Sequence, residues 1–209
     1  MEYKAVLLDA FGTILRINTG THPYRLLLKE GRRNGRQPRP DDARVLMMFN
    51  GGLSQAAEHL GIDITASRLA EIEEILEAEI SSIEAFPDAL EAVALLQERK
   101  RLVAVCSNLA YPYGRAVTRL FPTLDAYGFS YEINATKPDP YMYRQTCALL
   151  GVVPGDAFGE NRIVMTGDSL RCDCYGPRAV GITGIHLDRS NPNGISDLMH
   201  FARQVLIET

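Results

Sequence analysis

Four short apolar runs are spread along the chain, at residues 5–8 (AVLL), 102–106 (LVAVC), 163–166 (IVMT) and 182–187 (ITGIHL), with a weaker one at 129–133. They are uninterrupted rather than alternating, the pattern of strands buried on both faces. Helical patterns separate the later runs. The stretch PDALEAVALL, residues 87–96, opens with proline and spaces its leucines onto one face. Residues 140–150 repeat that arrangement and close at Gly151, a natural C-cap. Strands alternating with helices predict an α/β fold with a parallel, doubly wound sheet.

Residues 16–86 break this rhythm. They read as helix without a convincing strand, and in TASRLAEIEEILEAEISSIEAF the residues Leu69, Ile72, Ile75, Leu76, Ile80 and Ile83 fall at helical spacing with acids between them. A helical stretch placed straight after the first strand predicts a subdomain lying over the sheet's end. The expected division is a core of residues 1–15 and 87–209 and an all-helical insert of residues 16–86. A length of 209 residues suffices for both. A net charge of −4 gives the molecule no electrostatic reason to seek nucleic acid. No stretch approaches 18 apolar residues and no signal pattern opens the chain, so a cytoplasmic protein without membrane partners is expected. The Cys172-Asp173-Cys174 triplet lacks the second Cys/His pair of a zinc signature.

Open parallel sheets bind ligands at the carboxyl ends of their strands. In YKAVLLDAFGTIL the first run ends in Asp9; the second ends in Ser107-Asn108, and the third in Gly167-Asp168. Lys137, in NATKPDP, precedes a helix. It is one of only four lysines, against 18 arginines, so a compact ammonium there was not exchanged for a guanidinium. The chemistry is coherent. Asp9 can act as a carboxylate nucleophile. Two carboxylates from neighbouring strand ends repel unless a cation joins them, which suits Mg²⁺ and a phosphoryl group. Lys137 and the Ser107 hydroxyl would hold phosphoryl oxygens.

At this point the chain resembles the haloacid dehalogenase-like hydrolases. LLDAFGT is similar to their first motif, VCSN to the second, TKPDP to the third and VMTGDSLRCD to the fourth, in order, with YGPRAVGITGIHLDR continuing in the family's manner. The resemblance implies a Rossmann-like core, with residues 16–86 as a helical cap domain. It also implies that Asp9 is the nucleophile and that Thr13, Ser107, Asn108 and Lys137 bind the transferring phosphate. Mg²⁺ would be held by Asp9, the backbone carbonyl of Phe11 and Asp168, with Asp173 behind them. The implied reaction moves a phosphoryl group from a small phosphorylated metabolite to Asp9 and then to water.

Phe11 departs from the phosphatase pattern, whose aspartate at that place serves as general acid and base. DAFGT is nearer to the DAYGT of the family's metal-free 2-haloacid dehalogenases, whereas Asp168 stands where those enzymes have no carboxylate. Three alternatives stay open: a 2-haloacid dehalogenase, a phosphonate-cleaving enzyme with Lys29 as Schiff-base lysine, and a phosphate-binding module that has lost turnover. Arg32, Arg33, Arg36 and Arg39 in GRRNGRQPRP form a basic loop that could meet an anionic substrate or simply be solvated. Of the four scattered histidines, His22 is the one placed early in the helical insert.

Overall fold

A computed structural model describes residues 3–155 and 162–207. The strands are β1 (Tyr3–Leu8), β2 (Leu15–Ile17), β3 (Ile83–Ala85), β4 (Leu102–Ser107), β5 (Ala126–Phe129), β6 (Arg162–Gly167) and β7 (Thr183–His186). The helices are α1 (Pro23–Arg33), α2 (Asp42–Met48), α3 (Leu53–His59), α4 (Ala66–Ser81), α5 (Pro87–Glu98), α6 (Gly114–Leu120), α7 (Ser130–Ile133), α8 (Pro140–Leu149), α9 (Gly176–Arg178) and α10 (Leu198–Ile207). Five strands form one sheet in the order β5-β4-β1-β6-β7, and every neighbouring pair is parallel.

The uninterrupted apolar runs follow from helices covering both faces of this sheet. Along β1, Val6 and Leu8 enter one buried cluster while Ala5 and Leu7 enter the other. Val103 and Val105 of β4 divide from Ala104 and Cys106 in the same way. The first cluster is closed by Val93 and Leu96 of α5 and by Leu198 and Phe201 of α10. The second is closed by Met142, Tyr143 and Cys147 of α8. This is a Rossmann-like α/β fold with β1 at its centre. The chain leaves β1 to build β4 and β5 on one side and returns to build β6 and β7 on the other. The end of β1 is therefore where the strand order reverses, the place at which such sheets form a crevice.

Two sequence expectations need correction. The strand expected at 129–133 lies earlier, at Ala126–Phe129, and residues 130–133 turn into α7. Gly128 made the strand hard to read, yet a side chain there would collide with Thr146 of α8, so close sheet–helix packing excludes one. Residues 16–86 are also not free of strand: β2 and β3 pair antiparallel, with Leu15 opposite Ala85 and Ile17 opposite Ile83. Three-residue strands give too short an alternation to register in a sequence. Between them α1 to α4 form the helical insert.

The apolar stripe of α4 is buried at Ile72, Leu76 and Ile80, and the Thr65 hydroxyl caps its start by accepting from the Arg68 N–H at 3.3 Å. Two arginines of the basic loop are tied up within the insert. Arg36 grips Asp42 through two bonds of 2.7 and 2.6 Å and donates to the Leu60 carbonyl, and Arg33 pairs with Glu30. No helix of the described residues is long and apolar enough to cross a membrane.

Glu79 of α4, only 2% exposed, fastens the insert to the core. Its carboxylate accepts from the Tyr113 hydroxyl at 2.5 Å, from the Thr21 N–H and hydroxyl, and from the His22 N–H at 2.8 Å. Burial opposes its ionisation, but these donors outweigh burial and hold the carboxyl below its usual range. A lowered folded-state value means the stabilisation is complete at neutral pH and fades as pH drops below about 4. Glu79→Gln is expected to cost about 2 kcal/mol at pH 7 and to flatten the acid limb of a stability–pH profile measured by urea unfolding.

Candidate active site

The rim of the sheet gathers the chemistry. Asp9 directly follows β1, and its N–H donates to the Thr166 carbonyl at 3.0 Å, extending the β1–β6 ladder and fixing the carboxylate at the strand's end. Ser107 ends β4 and its hydroxyl donates to Asp9 Oδ1 at 3.0 Å. Lys137, 5% exposed, sits in the turn before α8, with Nζ 2.6 Å from Asp9 Oδ1 and 2.6 Å from Asp173 Oδ1. Asn108 holds that turn in place: its amide accepts from the Lys137 N–H at 2.7 Å and donates to the Lys137 carbonyl at 3.0 Å.

Asp173 comes from a π-helical segment, Leu170–Tyr175, and its second oxygen accepts from the Ser169 N–H at 3.0 Å. Both its oxygens are thus committed. A side chain at Gly167 would collide with this carboxyl group, so the strand must end in glycine for the acid to lie beneath it. Gly12 has φ of +83°, and a side chain there would strike the Asp168 carboxylate. The first-strand loop and Asp168 are packed as close as the backbone permits. Asp168 itself is exposed, and oxygens of Asp9, Asp168 and Asp173 lie within 4.8 Å of one another. Thr13 is fully buried and its hydroxyl has no hydrogen-bond partner. Asp9, Ser107, Asn108, Lys137, Asp168 and Asp173 are thus joined in one network or cluster, while the Thr13 hydroxyl, the Phe11 side chain, Lys29, His22 and the arginines of the basic loop lie outside it.

Electrostatics makes the cluster incomplete by itself. Burial opposes the charge on Lys137, but Asp9 and Asp173 outweigh it and keep the ammonium protonated. Burial and then the Asp9 charge push the Asp168 carboxyl above its usual range. Asp173 is also raised, by burial first, with Lys137 pulling against it and Asp9 adding to it. Three carboxylates against one ammonium leave an excess of two negative charges. The donors are all hard oxygens, a set that fits a divalent cation of the Mg²⁺ kind.

The Phe11 side chain takes no part in this network. Its ring packs edge-on against Tyr113, with centroids 5.8 Å apart, and borders a cavity of about 380 Å³. Tyr24, Leu28, Leu46 and Met47 of the insert line that cavity with Leu109 and Tyr113 of the core. His22 reaches the same cavity and is exposed. The sequence reading assigned nothing to Arg189. It donates to the Thr13 carbonyl at 2.7 Å, pairs with Asp88 at 3.0 Å and lies 3.8 Å over the Phe86 ring, so it anchors the loop after β1. Its only sequence signal was its place in the trailing LDR.

Residues 3–181 match the sequence model of the haloacid dehalogenase-like hydrolases, and the chain belongs to that family. Among solved structures, it is similar to a HAD phosphatase from Thermococcus onnurineus, with 24% identity, 97% of each chain covered and a TM-score of 0.62. It is similar to an L-2-haloacid dehalogenase, with 19% identity, 98% of this chain and 99% of that one covered and a TM-score of 0.61. A HAD family enzyme from Bacteroides thetaiotaomicron, solved as a magnesium complex, shares 16% identity over 92% of this chain and 97% of its own, with a TM-score of 0.62. At these identities the likeness is one of fold. Comparison with curated proteins finds no match.

Proposed function

We propose that the protein is a cytoplasmic, Mg²⁺-dependent phosphatase acting on a small phosphorylated metabolite, with residues 16–86 as its cap. The observation that carries this reading is Asp168: a third carboxylate within 4.8 Å of Asp9 and Asp173 completes an all-oxygen donor set of the kind a divalent cation takes. Asp9 and Asp168 would hold the metal with the Phe11 carbonyl, and Asp173 would orient Lys137. A bound Mg²⁺ supplies charge neutralisation at the phosphoryl group. Asp9 Oδ1 is committed to Ser107 and Lys137, which leaves Oδ2 to attack phosphorus. The phosphorus–leaving-group bond breaks as the aspartyl phosphate forms, and water then releases phosphate and restores Asp9. Lys137, Ser107 and the unpartnered Thr13 hydroxyl offer donors to the phosphoryl oxygens.

Phe11 narrows the substrates. With no proton donor at that position, the leaving group departs as an anion stable in its own right, such as a phenolate, enolate or carboxylate. The apolar cavity beside Phe11 suits such a group. Phe11→Asp is expected to raise turnover of alkyl phosphates by about 10²-fold and that of aryl phosphates far less. The same cavity and ring favour the second reading, dehalogenation of a 2-haloacid. Lys29, the residue a phosphonate-cleaving reading requires, is exposed on α1 and does not border this cavity.

The test is release of phosphate from aryl, acyl, sugar and nucleoside phosphates, with Mg²⁺ and with chelator. Turnover that chelator abolishes supports the phosphatase. Chloride release from 2-chloropropionate in chelator would replace it with the dehalogenase. Tight phosphate binding without any product would leave a binding module.

A further inference from the structure

A second cavity, of about 410 Å³, shares Ala43, Met47 and Asn108 with the apolar one and is bordered by Lys137. Its character is different. Arg44 of α2 enters from the helical insert, and Arg171 enters from the segment after β6. Neither guanidinium has a hydrogen-bond or ion-pair partner among the described residues. Among other arginines, Arg36 is engaged by Asp42, Arg68 by Glu30 and Glu71, and Arg189 by Asp88, whereas Arg25 borders the apolar cavity rather than this one.

The other charges in the wall are already committed. Lys137 is held between Asp9 and Asp173. Asp139, the one acid lining the cavity, caps α8 by accepting from the Tyr141 N–H at 2.9 Å. A phosphoryl group at Asp9 would be met by Lys137, Ser107 and the metal, without drawing on either arginine. Two planar cationic forks on opposite structural units, facing one cavity that adjoins the reacting centre, match a carboxylate or phosphate better than a neutral group.

We infer that Arg44 and Arg171 bind a second anionic group carried by the substrate, so that the substrate is a phosphorylated acid or a bisphosphate rather than a neutral phosphoester. This rests on the phosphatase reading. The apolar cavity takes the body of the leaving group, and the arginines read its charge. Because one arginine belongs to the insert and the other to the core, the anion also bridges the two.

The probes are non-hydrolysable phosphonates, titrated calorimetrically into the Mg²⁺-loaded protein. Phosphonoacetate and 4-carboxybenzylphosphonate are each compared with the corresponding amide, and a bisphosphonate forms the phosphate arm. At least one anionic ligand is expected to bind about tenfold more tightly than its neutral counterpart. Arg44→Gln and Arg171→Gln should each bring that ratio toward one. Both side chains are exposed, so the variants should melt with the parent. Equal affinity for charged and neutral ligands, or a preference that survives both substitutions, overturns the inference. Turnover of phenyl phosphate and of 4-carboxyphenyl phosphate, assayed alongside, separates the two failures, and turnover of either counts. Turnover without anion preference sinks only the arginine site. Anion preference without turnover sinks the phosphatase and leaves the site standing, and binding of none of the ligands sinks both.

Discussion

Asp9→Asn is expected to lower turnover of every substrate by on the order of 10⁴-fold or more while leaving the fold intact. The amide oxygen can still accept from Ser107 and Lys137, whose bonds to Oδ1 measure 3.0 and 2.6 Å, so the loop after β1 keeps its anchors. What disappears is the nucleophile and one of three crowded negative charges. Asp168 and Asp173 are both raised in part by Asp9, so each should ionise at lower pH in the variant. An unchanged melting temperature with vanished activity would mark Asp9 as the reacting group. Residual activity within tenfold of the parent would exclude it from that role.

Lys137→Met should fail differently, in stability as well as rate. The ammonium is buried and lies 2.6 Å from each of two carboxylates, which would be left without a counter-charge. Breaking a buried ion pair from one side costs about 3–5 kcal/mol, on the order of 10 °C in melting temperature for a chain of this size. Burial already lifts the Asp173 carboxyl and Lys137 is what pulls it down, so removing the lysine lifts it further. A raised carboxyl destabilises the fold at neutral pH and ceases to do so once it takes up a proton, so the deficit should shrink as pH falls. Thermal scans at pH 7 and pH 5 read this directly. Lys137→Arg should not rescue, because a planar fork cannot take the place of a point charge held between two acids at this distance.

The parts of the site legible in the sequence were those that strand ends dictate. Asp9, Ser107 and Asp168 each follow an apolar run, and a parallel sheet brings such ends to one rim whatever lies between them. Lys137 was visible by its scarcity. Arg189 was not, because an arginine after a late strand has no signature until the loop it anchors lies beside it. Gly128 hid β5 for the opposite reason: the residue that weakens a strand pattern was required by Thr146 of the facing helix. Sequence leaves Arg36 open to a substrate or to solvent, and only the fold brings Asp42 against it.

By itself the sequence determined the sheet, the order of its chemical residues and the substitution of Phe11 for an acid, since these depend on local pattern and on identity at one position. Tertiary structure alone decided how charge is spent. It gave Lys137 to two carboxylates, Glu79 to the joint between insert and core, and left Arg44 and Arg171 unpaired at a shared cavity. Pairing between charges falls off over a few ångströms, and no spacing along a chain reports distances between residues 36 or 128 positions apart.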